Sequence, residues 1–224
     1  MAGPRGRRPS LMISRLDARA TSFVASCALP APLEFLVWPG ALLFGWRGVL
    51  GCCLPLLCMR YSLKGMLLGL MGGALGQLIN RTIKQVVRRP RPPLPSPLPR
   101  RSFAVRVPRL GDDGDAPSFP SGDSMAAGFV GATVYLLDGG APYGAFFLPV
   151  WGCLGRVYFH CHYVADAVVG ALIGWSSVCL VREAYGGERW EQNIEPWHVL
   201  PLIPVFVGWM KFGRAILTSI GCIR

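Results

Sequence analysis

The chain has 224 residues, 52% of them hydrophobic and only 16% charged, and a mean hydropathy of +0.40. Those values fit one domain and exclude an ordinary soluble globule, so an integral membrane protein is expected. The 23 Lys+Arg against 12 Asp+Glu give a net charge of +11, which on a membrane protein points to phosphate-bearing lipids or an anionic leaflet. No zinc-finger spacing or other nucleic-acid module is present, and nucleic acid is not expected as a partner.

The first ten residues, MAGPRGRRPS, are basic and expected to be disordered. Residues 11–29 read as an interfacial helix, because Arg15, Asp17 and Arg19 break the apolar core that a signal peptide needs. Together 1–28 form an N-terminal segment, followed by a membrane domain over 29–220. Residues 35–59 are apolar apart from Arg47 and carry Pro39, Gly40, Gly45 and Gly48, which fits one irregular crossing or a tight hairpin. After a polar break at Arg60, Tyr61, Ser62 and Lys64, a second crossing runs over 65–79 and on toward 83, its MGGALG suited to close helix packing.

Prolines stop that helix by Arg89 and make 84–110 a loop outside the bilayer. An acidic patch follows at Asp112, Asp113 and Asp115, and then SFPSGD opens a third apolar helix over 124–137. Asp138-Gly139-Gly140 is a turn, 142–158 a fourth helix and 163–181 a fifth. The stretch 182–198 is polar, and 199–220 is a candidate last crossing weakened by Pro201, Pro204, Lys211 and Arg214. The expected fold is an all-α, polytopic membrane bundle of about five or six crossings. Two crossings separate the basic loop from the 156–162 segment, so both face one side, and the eight Lys/Arg over 84–123 place that side in the cytoplasm. The cysteines lie in or beside apolar runs, except Cys161 between two histidines, and show no metal-ligand pattern.

Three polar motifs fall on that side. In GRVYFHCHYVAD, His162 and Asp166 are four apart; a helix starting near His160 would put ring and carboxylate one turn apart, with Arg156 just before them for an anion. A polar pair capping a membrane helix would look the same. Lys84 and, after six intervening residues, Arg91-Pro92 combine a point charge with a bidentate fork, as a phosphate site or as an orientation signal. Pro120-Ser121-Gly122-Asp123 presents a hydroxyl and helix-terminal N–H groups to an anion, or is a simple N-cap.

All three motifs, in this order, resemble the signatures of the type-2 phosphatidic acid phosphatase family, which shares its fold with the vanadium haloperoxidases. That family's pattern is K-x6-RP, PSGH and SR-x5-H-x3-D, and Lys84, Arg91, Pro92, Pro120, Ser121, Gly122, Arg156, His162 and Asp166 match it. The resemblance implies a membrane hydrolase of lipid phosphates or diphosphates that uses no metal or other cofactor. It assigns His162 as the nucleophile forming a phosphohistidine, Asp166 as the group that orients the ring, and Lys84, Arg91, Arg156, Ser121 and the Gly122 amide as holders of the phosphate oxygens. The short N-terminal half and the RRPRP exit are most similar to the isoprenoid-diphosphate, presqualene-type branch; in a eukaryote the expected location is an endomembrane such as the endoplasmic reticulum.

Two positions depart from the pattern. Asp123 stands where the family carries a histidine that protonates the leaving oxygen and activates water. Asp123 serves as the acid itself, or a diphosphate with a good leaving group lowers the demand on it, or activity is lost and the chain acts as a membrane scaffold or lipid-phosphate binder. Gly155 replaces the serine and removes one hydroxyl from the expected pocket. His160, two residues from His162, is a structural residue in this reading.

Overall fold

The computed structural model describes residues 9–93, 117–140 and 142–201, and every regular element among them is helical. The basic N-terminus before residue 9, the acidic patch at Asp112, Asp113 and Asp115, and the candidate crossing from 202 onward lie outside the described residues.

Helix α1 spans Pro9–Ser26 and α2 Ala31–Leu42; the short α3, Trp46–Gly48, runs through a π-helical turn, Val49–Cys53, into α4, Leu54–Arg60. Then come α5 Leu63–Val87, α6 Gly122–Leu137, α7 Pro142–Tyr158 and α8 Val164–Ala184. A last short helix, α9 Trp190–Asn193, sits between 3-10 turns at Gly187–Arg189 and Pro196–Val199. Residues 35–59 do not form one continuous helix. The Cys53 thiol reaches the Leu43 carbonyl at 3.7 Å, ten residues back, where an unbroken helix would separate them by about 15 Å. The chain therefore turns sharply at 43–45, the tighter of the two readings of that stretch.

Local chemistry sets the ends of the long helices. Ser62 N-caps α5 by accepting the Gly65 N–H at 3.1 Å, and Arg88 closes it in the left-handed region at φ 44, its N–H on the Lys84 carbonyl, with Pro90 barring another turn. Ser121 caps α6 by accepting the Ser124 N–H. Helix α6 lies at the centre, against α5, α7 and α8. Gly170 and Gly174 allow α8 to lie on the α6 backbone, since a Cβ there would fall 2.3 Å from the Ser121 oxygen and 1.9 Å from that of Met125. Such contact between small residues is how helices associate where lipid replaces water. Leu68, Met71, Met125, Phe129, Val130 and Val178 fill the space around it, and Trp190 and Ile194 of the polar C-terminal stretch also pack into this core.

Among the described residues, α8 is the one helix long and apolar enough to cross a membrane, and Val49–Arg60 and Ala145–Tyr158 are shorter apolar helices. Its flank and that of α7 leave Phe146, Phe147, Val150, Val168, Leu172 and Leu180 exposed.

Candidate active site

The C-termini of α5 and α7 and the N-termini of α6 and α8 meet at one end of the bundle, bringing the three motifs together. Backbone hydrogen bonds join them. The Ser118 N–H donates to the Arg89 carbonyl at 2.7 Å, and the Ser121 N–H to that of Asp166 at 2.9 Å. Within the third motif, the Cys161 and His162 N–H groups donate back to the Arg156 carbonyl and close the turn after α7.

His162 does not lie on a helix with Asp166, as the four-residue spacing predicted. It sits in the turn before α8, which begins at Val164 with Tyr163 as its N-cap. The ring is buried, and its Nδ1–H donates to the Ser118 carbonyl at 2.8 Å. Asp166 Oδ2 stands 3.8 Å from that nitrogen, too far for a hydrogen bond, and instead accepts from the Ser118 hydroxyl and, at 3.1 Å, from the Tyr163 N–H. Orientation of the ring thus comes first from a backbone carbonyl, with the carboxylate one step behind. Its hydrogen bonds among the described residues run through Nδ1, and Nε2 is the nitrogen left to act as a nucleophile. Burial first, then the positive charges of Arg156, Lys84 and Arg91, push His162 down to about 4 against the Asp166 interaction, so the ring is neutral at physiological pH.

Arg156, in the last turn of α7, is buried and held at Nη1 by the Ala41 carbonyl of α2 at 3.2 Å and by Asp123 Oδ2 at 2.9 Å. Asp123 keeps 26% of its side chain exposed. Lys84 donates from Nζ to the Pro117 carbonyl at 2.9 Å, tying the end of α5 to the approach of the second motif. Ser121 is fully buried and occupied as the α6 cap, the simpler of its two readings, whereas the space that a Cβ on Gly122 would enter is empty to 4 Å.

Gly155 has a steric reason. A Cβ there would lie 2.5 Å from the Ala41 nitrogen and 2.9 Å from the Ala41 Cα, so the α2 backbone fills the volume of the serine and supplies the carbonyl that holds Arg156. His160, in the left-handed region at φ 56, contacts the Pro93 carbonyl through Nε2 and links the turn to the segment after Arg91. Cys161 is buried, with its thiol on the Phe159 carbonyl.

Sequence reasoning passed over Asp17, Thr21, Arg89 and Ser118. Arg89 bridges two carboxylates, Asp166 and Asp17, each at 2.7 Å, and lies 3.8 Å over the Tyr163 ring. The available signal was the polar pair Asp17 and Thr21, i and i+4 on one face of α1. Among the described residues no three His, Cys, Asp or Glu side chains gather as a metal site would need.

A buried histidine among cationic side chains, at the meeting point of four helix ends, has the groups that phosphoryl chemistry on an anionic substrate would require. The chain belongs to the PAP2 superfamily, whose family model matches residues 65–190, more than half its length and all three motifs. That superfamily carries phosphatase-type activity on phosphate esters. Comparison with curated proteins and with solved structures gave no match.

Proposed function

We propose that this chain is an integral-membrane, multi-pass phosphatase of lipid phosphates, with isoprenoid-type diphosphates as its preferred substrates, working through a phosphohistidine. The observation that carries this reading is the neutral, buried His162, with Nδ1–H committed to Ser118 and the charges of Arg156, Lys84 and Arg91 around it. Nε2 attacks phosphorus in line, the P–O bond to the leaving group breaks, and the ring takes up positive charge 3.8 Å from the Asp166 carboxylate. Lys84, Arg91, Arg156 and the Gly122 N–H hold the equatorial oxygens. Water then attacks the same phosphorus, the P–N bond breaks, and phosphate leaves.

The Asp123–Arg156 pair supports the diphosphate preference. An aspartate held as the anionic partner of a guanidinium has no proton to give an alkoxide. It can accept one from the attacking water, which makes it the base of the second step. A diphosphate releases a phosphate monoester, a leaving group that needs no proton, whereas a lipid monophosphate releases an alkoxide that does. The exposed apolar side chains of α7 and α8 support a lipid environment, with the headgroup entering at the cytoplasmic face of an endomembrane and the tails remaining in the bilayer.

The test is phosphate release by the detergent-purified chain on matched isoprenoid diphosphates, isoprenoid monophosphates and phosphatidic acid. The expected order is diphosphate well above both monoesters. Equal rates would overturn the diphosphate preference, and vanadate binding without release from any substrate would instead identify a lipid-phosphate binder.

A further inference from the structure

We propose that α1 completes the reaction centre, with Asp17 acting through Arg89 as a positioning residue for Asp166 and, by way of Ser118, for the His162 ring. The proposal rests on reading His162 as the nucleophile. Its basis is a continuous set of polar contacts. Asp17 Oδ2 binds Arg89 Nη2 at 2.7 Å, Arg89 Nη1 binds Asp166 Oδ1 at 2.7 Å, and the Ser118 hydroxyl donates to Asp166 Oδ2 while its carbonyl receives the His162 Nδ1–H. Asp166 lies beyond hydrogen-bond distance of the ring, so Arg89 and Ser118 decide where its charge stands relative to His162.

The same face of α1 also orients α8. Asp17 Oδ1 accepts the Ala165 N–H at 2.9 Å, and Thr21 Oγ accepts the Val164 N–H at 3.1 Å. A helix begins with N–H groups that have no partner inside it, and a tyrosine N-cap satisfies them poorly. A helix lying more than 140 residues earlier supplies acceptors for two of them. Asp17 thus has two separable roles: its charge holds Arg89, and its other oxygen, with Thr21, caps α8.

Asp17→Asn keeps an acceptor for the cap and removes the charge, whereas Thr21→Val removes a cap and leaves the charge. Both are made in the full chain and assayed in detergent for single-turnover phosphohistidine formation, KM and melting temperature. Asp17→Asn is expected to slow phosphoryl transfer about tenfold to a hundredfold, as displacement of a catalytic group does, with little change in KM. Thr21→Val is expected to melt lower and to transfer at the wild-type rate while folded. Arg89→Lys, which replaces the two separate guanidinium nitrogens that reach Asp17 and Asp166 with a single ammonium, should match Asp17→Asn, with the double variant no slower than either single one, and it stands in if Asp17→Asn does not fold.

A wild-type rate in Asp17→Asn, or losses in Asp17→Asn and Thr21→Val that both follow melting temperature, would overturn the proposal. If the wild type transfers phosphoryl from no substrate, the functional reading fails. The positioning claim is then decided by the His162 ring resonances, which Asp17→Asn must shift if the contacts act as described and which remain in place if they do not.

Discussion

The two halves of the site are built differently. Around His162 and Asp166 the polar groups are satisfied by the protein: Ser118, Arg89, Tyr163 and Asp17 account for both Asp166 oxygens, the ring Nδ1–H and both ends of the guanidinium. Around Arg156 the arrangement is looser, with a partly exposed Asp123 on the guanidinium and unfilled space above Gly122. A closed network fixes geometry and a half-open one admits a ligand, which matches the proposed division between a nucleophile in the rigid half and phosphate oxygens in the open half.

The largest effect that can break this division is expected from His162→Ala. It should cut phosphate release by about a thousandfold or more, because the covalent step has no substitute, while vanadate still binds the open half measurably. Release within tenfold of wild type would remove His162 from the reaction. Asp123→Asn comes next. With the base of the second step gone, labelled, acid-labile phosphoprotein should accumulate and steady-state turnover fall about a hundredfold; turnover that falls without accumulation would assign Asp123 to the first step instead.

Gly155→Ser probes the Arg156 side sterically. The added atoms meet the α2 backbone at Ala41, so the expected result is a loss of about 1–3 kcal/mol in stability and weaker vanadate binding through displaced Arg156. Unchanged melting with tighter vanadate binding would show that the pocket has room for the hydroxyl.

The subtlest effect is in pH dependence. His162 is held at about 4, below its ordinary 6.5, so the unfolded chain takes up this proton first as pH falls. The native state therefore loses stability between about pH 6.5 and 4, by about 3 kcal/mol in all, with no further change below and none above. Melting curves of wild type and His162→Asn should converge toward the variant's favour across that window, and parallel curves would mean that burial does not disfavour the charged ring.

The three motifs were legible as a group because they keep their order and spacing, and the structure brings them to one end of the bundle. The ends of α5 and α6 were legible for a related reason, since Ser62, Ser121 and the prolines after Arg89 act within a few residues of themselves. Illegible parts depend on distant partners. Asp17 read as one charge of an interfacial helix because its partners, Arg89 72 residues away and the Ala165 N–H 148 away, cannot be inferred from its neighbours in sequence. His162 was expected on the helix because a four-residue spacing cannot tell a helical turn from a turn that precedes one. Gly155 read as a lost hydroxyl because only the crossing of α2 shows what occupies its place.

That crossing also constrains how this chain can change over generations. A serine at position 155 would press on the α2 backbone, and α2 cannot withdraw without releasing Arg156 from the Ala41 carbonyl. Either change alone disturbs the other contact, so the residue at 155 and the path of α2 are tied to one another.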